Sequence, residues 1–189
     1  LIGYPSYRTS AMPDGTLSHV KEHVKVGVQA LVDHPYFFLC DEMGAMKSAQ
    51  VIIAAQFLFE AGTIDKVLVV APASVRGVWF DPELGELQKH LFIQSSIVEF
   101  HARIRDWLFT SPDITKQVKK LEWTITNYEF LVSKMRLIQL LGCCSQKTLL
   151  VLDESAYCKS WDSTRTKACG QRVTVAAPHA ADPLEQRAL

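Results

Sequence analysis

The sequence predicts an α/β fold, a mostly parallel sheet with helices on both faces. Three observations carry this. The runs KVLVVA (66–71) and TLLVLD (148–153) are almost wholly apolar, as strands covered on both faces are. Strand-like runs alternate with helix-like stretches, which implies a parallel sheet. Three chemically suggestive segments each follow a strand-like run: DEMGAMKS after YFFLC, APAS after KVLVV, and DES after TLLVL. Ligands of parallel sheets bind beyond the carboxyl ends of the strands, so these segments are expected at one edge.

The elements follow in order. Residues 1–17 are rich in Gly, Pro, Ser and Tyr and read as an irregular lead-in. Residues 18–32 read as a helix, 36–40 (YFFLC) as a short apolar strand, and 47–61 as a helix. Strand 66–71 ends at Pro72, which cannot donate to a ladder. Residues 75–92 are helical with a break near Pro82. Residues 96–100 (SIVEF) read as a strand, and 104–109 and 114–121 as helical pieces. A strand at 123–127 (WTITN), a helix at 128–141 and the strand 148–153 complete the pattern. The domain is expected over 18–175, with an altered or truncated tail over 176–189.

Composition narrows the class. A chain of 189 residues that is 48% hydrophobic suits one domain with a sizeable core. Its formal net charge is zero, so no domain-wide field attracts nucleic acid, although a local basic face remains open. No apolar run approaches the ~18 residues of a membrane span. Five cysteines without a CxxC pair fit reduced thiols and do not fit a zinc site, which points to an intracellular protein, cytoplasmic or nuclear, with a phage or bacterial source as a further option. The first residue is Leu, so the chain is expected to be cut from something longer.

The stretch DEMGAMKSAQ (41–50) carries the sharpest chemistry. A strand, a glycine-bearing turn and Lys-Ser at a helix head form a phosphate site. Turn N–H groups face the phosphates, Lys47 neutralises them, and the Ser48 hydroxyl reaches Mg²⁺. Gly44, Ala45, Met46, Lys47 and Ser48 are the candidate nucleotide-phosphate-binding residues. Taken alone, Lys47-Ser48 also fits an ordinary solvated helix start. Asp153 and Glu154 follow a buried strand, where a carboxylate is costly without a partner. Asp153 suits Mg²⁺ and Glu154 suits polarising an attacking water; an acidic helix-capping pair is the plain alternative.

Together these segments identify a resemblance. DEMG-x-x-KS, LVVAPASVRGVW, TNYEFL and LLVLDESAYCKS, in that order, resemble the first RecA-like lobe of Swi/Snf-type helicase-like ATPases of helicase superfamily two. The likeness runs from about Val24 to Lys167. It implies a RecA-like P-loop NTPase lobe using ATP and Mg²⁺, with Lys47 and Glu154 as catalytic groups and Ser48 and Asp153 at the metal. It also implies contacts to a nucleic-acid backbone, duplex DNA in this family, from Ser74 in the PAS segment and Asn127 in the TNY segment. Lys159 either contacts phosphate or is a solvated lysine. Trp79 matches a family tryptophan and is expected to pack in the core. Such ATPases hydrolyse ATP between two lobes. The sequence ends before a second lobe, so that lobe is expected as a partner.

Three departures from the family pattern stand out. Met46 replaces a glycine whose backbone freedom the loop uses. Val24 stands where the family has an adenine-reading glutamine. Val173–Pro178 replaces the family's Leu-Thr-Gly-Thr-Pro. The alternative is therefore a degenerate lobe that keeps the fold and serves as a binding or regulatory module. A P-loop kinase or GTPase is set aside, because APAS and TNYE have no place there and no Asn-Lys-x-Asp occurs. The lysines 116, 119 and 120, the histidines 90 and 101, and the vicinal Cys143–Cys144 read as surface or packing residues.

Overall fold

A computed structural model describes residues 21–42, 44–100, 104–109, 119–158 and 166–167. The expected lead-in, most of the helical piece 114–121, Lys159 and the tail with Val173–Pro178 lie outside the described residues; the described end of that piece is not helical, because Leu121 already pairs as the first residue of the strand Leu121–Asn127.

The expected α/β architecture is present. In chain order the helices are α1 (Glu22–Asp33), α2 (Lys47–Glu60), α3 (Arg76–Phe80), α4 (Glu86–His90), α5 (Tyr128–Leu131) and α6 (Lys134–Gly142). The strands are β1 (Lys66–Ala71), β2 (Ser95–Glu99), β3 (Arg105–Phe109), β4 (Leu121–Asn127) and β5 (Thr148–Leu152). Among the described residues these strands form one sheet in the order β3-β2-β4-β1-β5. Three of the four neighbouring pairs are parallel and only β2–β3 is antiparallel.

β1 shows why an unbroken apolar run makes a central strand. Val67, Val69 and Ala71 face Ile52 and Ala55 of α2 and Trp79 of α3 in the larger core cluster. Leu68 and Val70 face the other way, onto Tyr128 and Leu131 of α5 and Leu140 of α6. Successive side chains point to opposite faces, so a strand packed on both sides has no polar position to spare. A third layer lies outside α2, where Val24 and Val28 of α1 pack on Ile53 and Ala54. Gly27 permits the close approach of the two helices, because a Cβ there would sit 1.7 Å from the Gln50 side-chain oxygen.

Two expected elements are corrected. Residues 104–109 form an edge strand, not a helix. β3 pairs antiparallel with β2 from Arg105 opposite Glu99 to Phe109 opposite Ser95. Trp107 packs inward, its ring against Phe80 and its indole N–H on the Phe80 carbonyl, while Leu108 on the other face is exposed. Cross-strand pairing decides a run too short to nucleate a helix by itself. Residues 36–40 form no strand. Tyr36 and Phe38 are exposed, and no ladder holds the segment among the described residues. Apolar character favours a strand only where a neighbour accepts its backbone groups. The expected helix 128–141 is also split into α5 and α6, with the break at Val132 and Ser133. The break near Pro82 falls where the sequence placed it, between α3 and α4.

Candidate functional site

The parallel strands bring the motif segments to one edge. The register sets Ala71 opposite Asn127 and Val70 opposite Leu152, so β1, β4 and β5 end together. The Asp153 amide prolongs the ladder by donating to the Val70 carbonyl at 2.9 Å. The head of α2 is carried to the same edge by length alone. α2 spans about 21 Å and β1 about 20 Å. A tight turn over 61–65 reverses the chain between them.

The loop before α2 winds around its own lysine. The Lys47 ammonium donates to the carbonyls of Asp41 at 2.9 Å and Glu42 at 3.0 Å. Gly44 takes φ +84°, and Met46 takes φ 56°, ψ 37°, both left-handed. Glycine adopts that backbone freely, whereas any other residue loses roughly 1–2 kcal/mol to contact between Cβ and the following carbonyl. Beneath the loop lies Gln50, fully buried. Its amide donates to the Asp41 carboxylate at 2.8 Å and to the Ala45 carbonyl at 2.9 Å. Sequence reasoning passed over Gln50; the signal was a glutamine next to the apolar run Val51–Ala55, one turn into the helix. Ala45 and Ser48 are half-buried, and the Ser48 hydroxyl makes no hydrogen bond among the described residues.

Asp153 is held from two directions. Its Oδ2 accepts from the Trp79 indole N–H at 2.7 Å, and its backbone carbonyl accepts from the Tyr128 hydroxyl at 2.8 Å. Among the described residues no hydrogen bond reaches Oδ1, which leaves one carboxylate oxygen for a ligand. Glu154 is exposed and takes φ 51°. Met46 and Glu154 are the non-glycine residues with positive φ among those described, and both lie in the segments singled out from the sequence. Strain of this kind persists only where the surroundings impose it.

The remaining candidates divide. Ser74 is exposed in the turn after β1, where Val75 and Arg76 donate their amides to the Pro72 carbonyl. Asn127 is buried at 3% exposure, and its side-chain oxygen caps α5 by accepting from the Phe130 amide at 2.9 Å. It shapes the strand-end turn rather than offering its side chain to solvent. Val24 is fully buried, so its side chain has no free face. Trp79 packs in the core as expected, 1% exposed, but its N–H also reaches the acidic segment.

The sequence model of the SNF2-related domain matches residues 21–175, which include every described motif segment. The chain belongs to this family. It is a Swi/Snf-type lobe of helicase superfamily two. The SNF2-related domain also shares its fold with the Sulfolobus solfataricus SWI2/SNF2 ATPase core, solved in complex with dsDNA, at a TM-score of 0.57 and 22% identity. The match covers 78% of this chain and 28% of that one. No curated protein matches the chain.

One further cluster stabilises this SNF2-related domain beside the site. Glu99 at the end of β2 is 2% exposed and binds two guanidiniums, Arg76 of α3 and Arg105 of β3. Burial pushes its carboxyl up, but the hydrogen bonds and charges of Arg105 and Arg76 outweigh that and hold it below the usual value. Arg105 also lies over the Phe80 ring, 4.9 Å from its centroid. The triad thereby fastens the helix that follows the PAS turn. Among the described residues no helix is long and apolar enough to cross a membrane.

Proposed function

We propose that this chain is the ATP-binding lobe of a DNA-dependent ATPase of the Swi/Snf type. The observation that carries the reading is the gathering of the PAS turn, the TNY turn and Asp153–Glu154 at one edge of a parallel sheet, with the head of α2 directed to that edge. In this reading the loop from Gly44 to Ser48 takes the phosphates of ATP, with Lys47 turning from its carbonyl partners to the β- and γ-phosphates. Ser48 and Asp153 offer a hydroxyl and a free carboxylate oxygen, hard ligands that fit Mg²⁺. Bound there, Mg²⁺ would neutralise phosphate charge. Glu154 orients water. Ser74 offers its hydroxyl and turn amides to a DNA phosphate, with Lys159 as a further contact, while Asn127 holds its own turn in shape. Such contacts position the lobe on duplex DNA without reading its sequence. A second RecA-like lobe completes the hydrolytic site.

A second reading has its own support. Met46 stands left-handed at the loop, and Lys47 is already satisfied by two carbonyls. Both work against phosphate entry and favour a lobe that binds nucleotide weakly and acts as a binding or regulatory module. Calorimetric titration of Mg·ATP into the wild type and into Met46→Gly separates the two. The ATP-binding reading expects measurable binding in both proteins, while the roughly 1–2 kcal/mol of left-handed strain at position 46, present without ligand, shows on substitution as a gain in fold stability. Binding that is absent in the wild type and arises only in Met46→Gly, or in neither, selects the second reading.

A further inference from the structure

We infer that Trp79 and Tyr128 are positioning residues that link occupancy of the strand-end turns to metal binding at Asp153. The inference rests on the ATP-binding reading above and adds the route by which two parts of that edge communicate.

Three facts support the link. Asp153 accepts two hydrogen bonds from buried aromatic side chains, one on its carboxylate and one on its backbone carbonyl. Each donor is tied to a different strand end. Trp79 lies on α3, whose first turn closes on the Pro72 carbonyl directly around Ser74. Tyr128 follows Asn127, whose side chain caps the helix that Tyr128 opens. Both donors are almost completely buried, Trp79 at 1% and Tyr128 at 0% exposure, so neither swings to solvent when its turn moves. An indole has a single polar group, a donor, so Trp79 passes a shift of α3 to Oδ2 alone, while Arg76 of the same helix passes it to Glu99, away from Asp153.

The chemistry follows from which oxygen is taken. With Oδ2 engaged by the indole, a cation meets Asp153 through Oδ1 alone, and the indole bond fixes the carboxylate plane. A phosphate drawn to the Ser74 turn displaces or steadies the start of α3 and so changes how firmly that plane is held. The linkage is reciprocal by thermodynamic necessity: metal at Asp153 alters affinity for duplex at the turns by the same factor.

The test uses the 189-residue chain, with Mn²⁺ alone as the metal probe and a short mixed-sequence DNA duplex. Free Mn²⁺ is read by electron paramagnetic resonance with and without duplex. The duplex is expected to change Mn²⁺ affinity about fivefold, at the lower end of typical coupling between sites. Trp79→Phe keeps the aromatic packing, removes the N–H, and is expected to abolish that change; Tyr128→Phe is expected to reduce it. Thermal melts establish that each variant is folded. In parallel, the Trp79 indole N–H resonance, identified by its loss in Trp79→Phe, is expected to move upfield in Asp153→Asn. The inference is overturned if Mn²⁺ does not bind, if duplex leaves its affinity unchanged, if Trp79→Phe retains the coupling, or if Asp153→Asn leaves the indole resonance in place. ATP binding with no such coupling sinks this inference and spares the ATP-binding lobe. Coupling without any ATP binding does the reverse.

Discussion

Replacing Glu99 by alanine is expected to lower the stability of the folded chain by about 3 kcal/mol, in the range found when one partner of a buried ion pair is removed. The cost falls mainly on Arg76, because the two guanidiniums differ in their surroundings. Arg105 is 62% exposed and turns to water once its partner is gone. Arg76 is 17% exposed, and its Nη1 is buried with no hydrogen-bond partner among the described residues, so it is left as an uncompensated charge. Urea denaturation of Glu99→Ala, Arg105→Ala and the double variant measures this directly. Arg105→Ala alone is expected to cost under about 1 kcal/mol, as exposed pairs do. The same cluster sets an acid sensitivity. A carboxyl whose folded value lies below its unfolded value of 4.5 contributes its full stabilisation above that value and loses it as pH falls through the folded value. Wild-type stability should therefore fall more steeply with acid below about pH 4.5 than that of Glu99→Gln, which has no charge there to lose. Parallel slopes would show that the two arginines do not govern Glu99.

Lys47→Ala is expected to weaken Mg·ATP binding by about 30-fold, the loss of one charge-assisted contact worth roughly 2 kcal/mol. Lys47→Arg should retain part of the affinity, since charge survives while the geometry of a compact ammonium does not. The fold itself should lose little, because the Lys47 ammonium donates to loop carbonyls in a solvent-accessible setting. The measurement is the same calorimetric titration, and it is best made in the Met46→Gly background as well. There no side chain stands at position 46, and the effect of the lysine is read by itself. An unchanged dissociation constant in Lys47→Ala removes the phosphate role from this loop.

What the sequence conveyed depends on whether a residue's partners are near it in the chain. β1 was legible because burial on both faces leaves a continuous apolar run, a local signature of a non-local environment; β5 was legible from the same kind of run, but among the described residues it lies at the rim of the sheet and its Leu149–Leu152 are half-buried, not buried as expected. The break at Pro82 and the end of β1 at Pro72 were legible for the same reason, since proline acts on its own backbone. β3 was not: Arg105, Trp107 and Phe109 take their place from β2 and Phe80, which no local pattern of RDWLF announces. The segment 36–40 erred in the opposite direction, because strand-like composition was present without a described neighbour to pair with. At the site, the chemistry-bearing residues were found by motif, but their supports were not. Gln50 bonds within its own loop and was missed although its partners are near in the chain, whereas the two aromatic donors to Asp153 are tertiary contacts, 74 and 25 residues apart in sequence. One general rule did anticipate them, that a carboxylate at the end of a buried strand requires a donor.

The position of β1 has a consequence for how the molecule breathes. It is hydrogen-bonded on both sides, to β4 and β5, and packed on both faces, and Val67–Ala71 are essentially sealed. Its amides are therefore expected to take up deuterium only on opening of the whole lobe, whereas those of β3, which has a single neighbour among the described residues, are expected to exchange through small excursions. The strand that leads into the PAS turn is thus expected to be the last part of the described sheet to open, and it anchors that turn at Ala71.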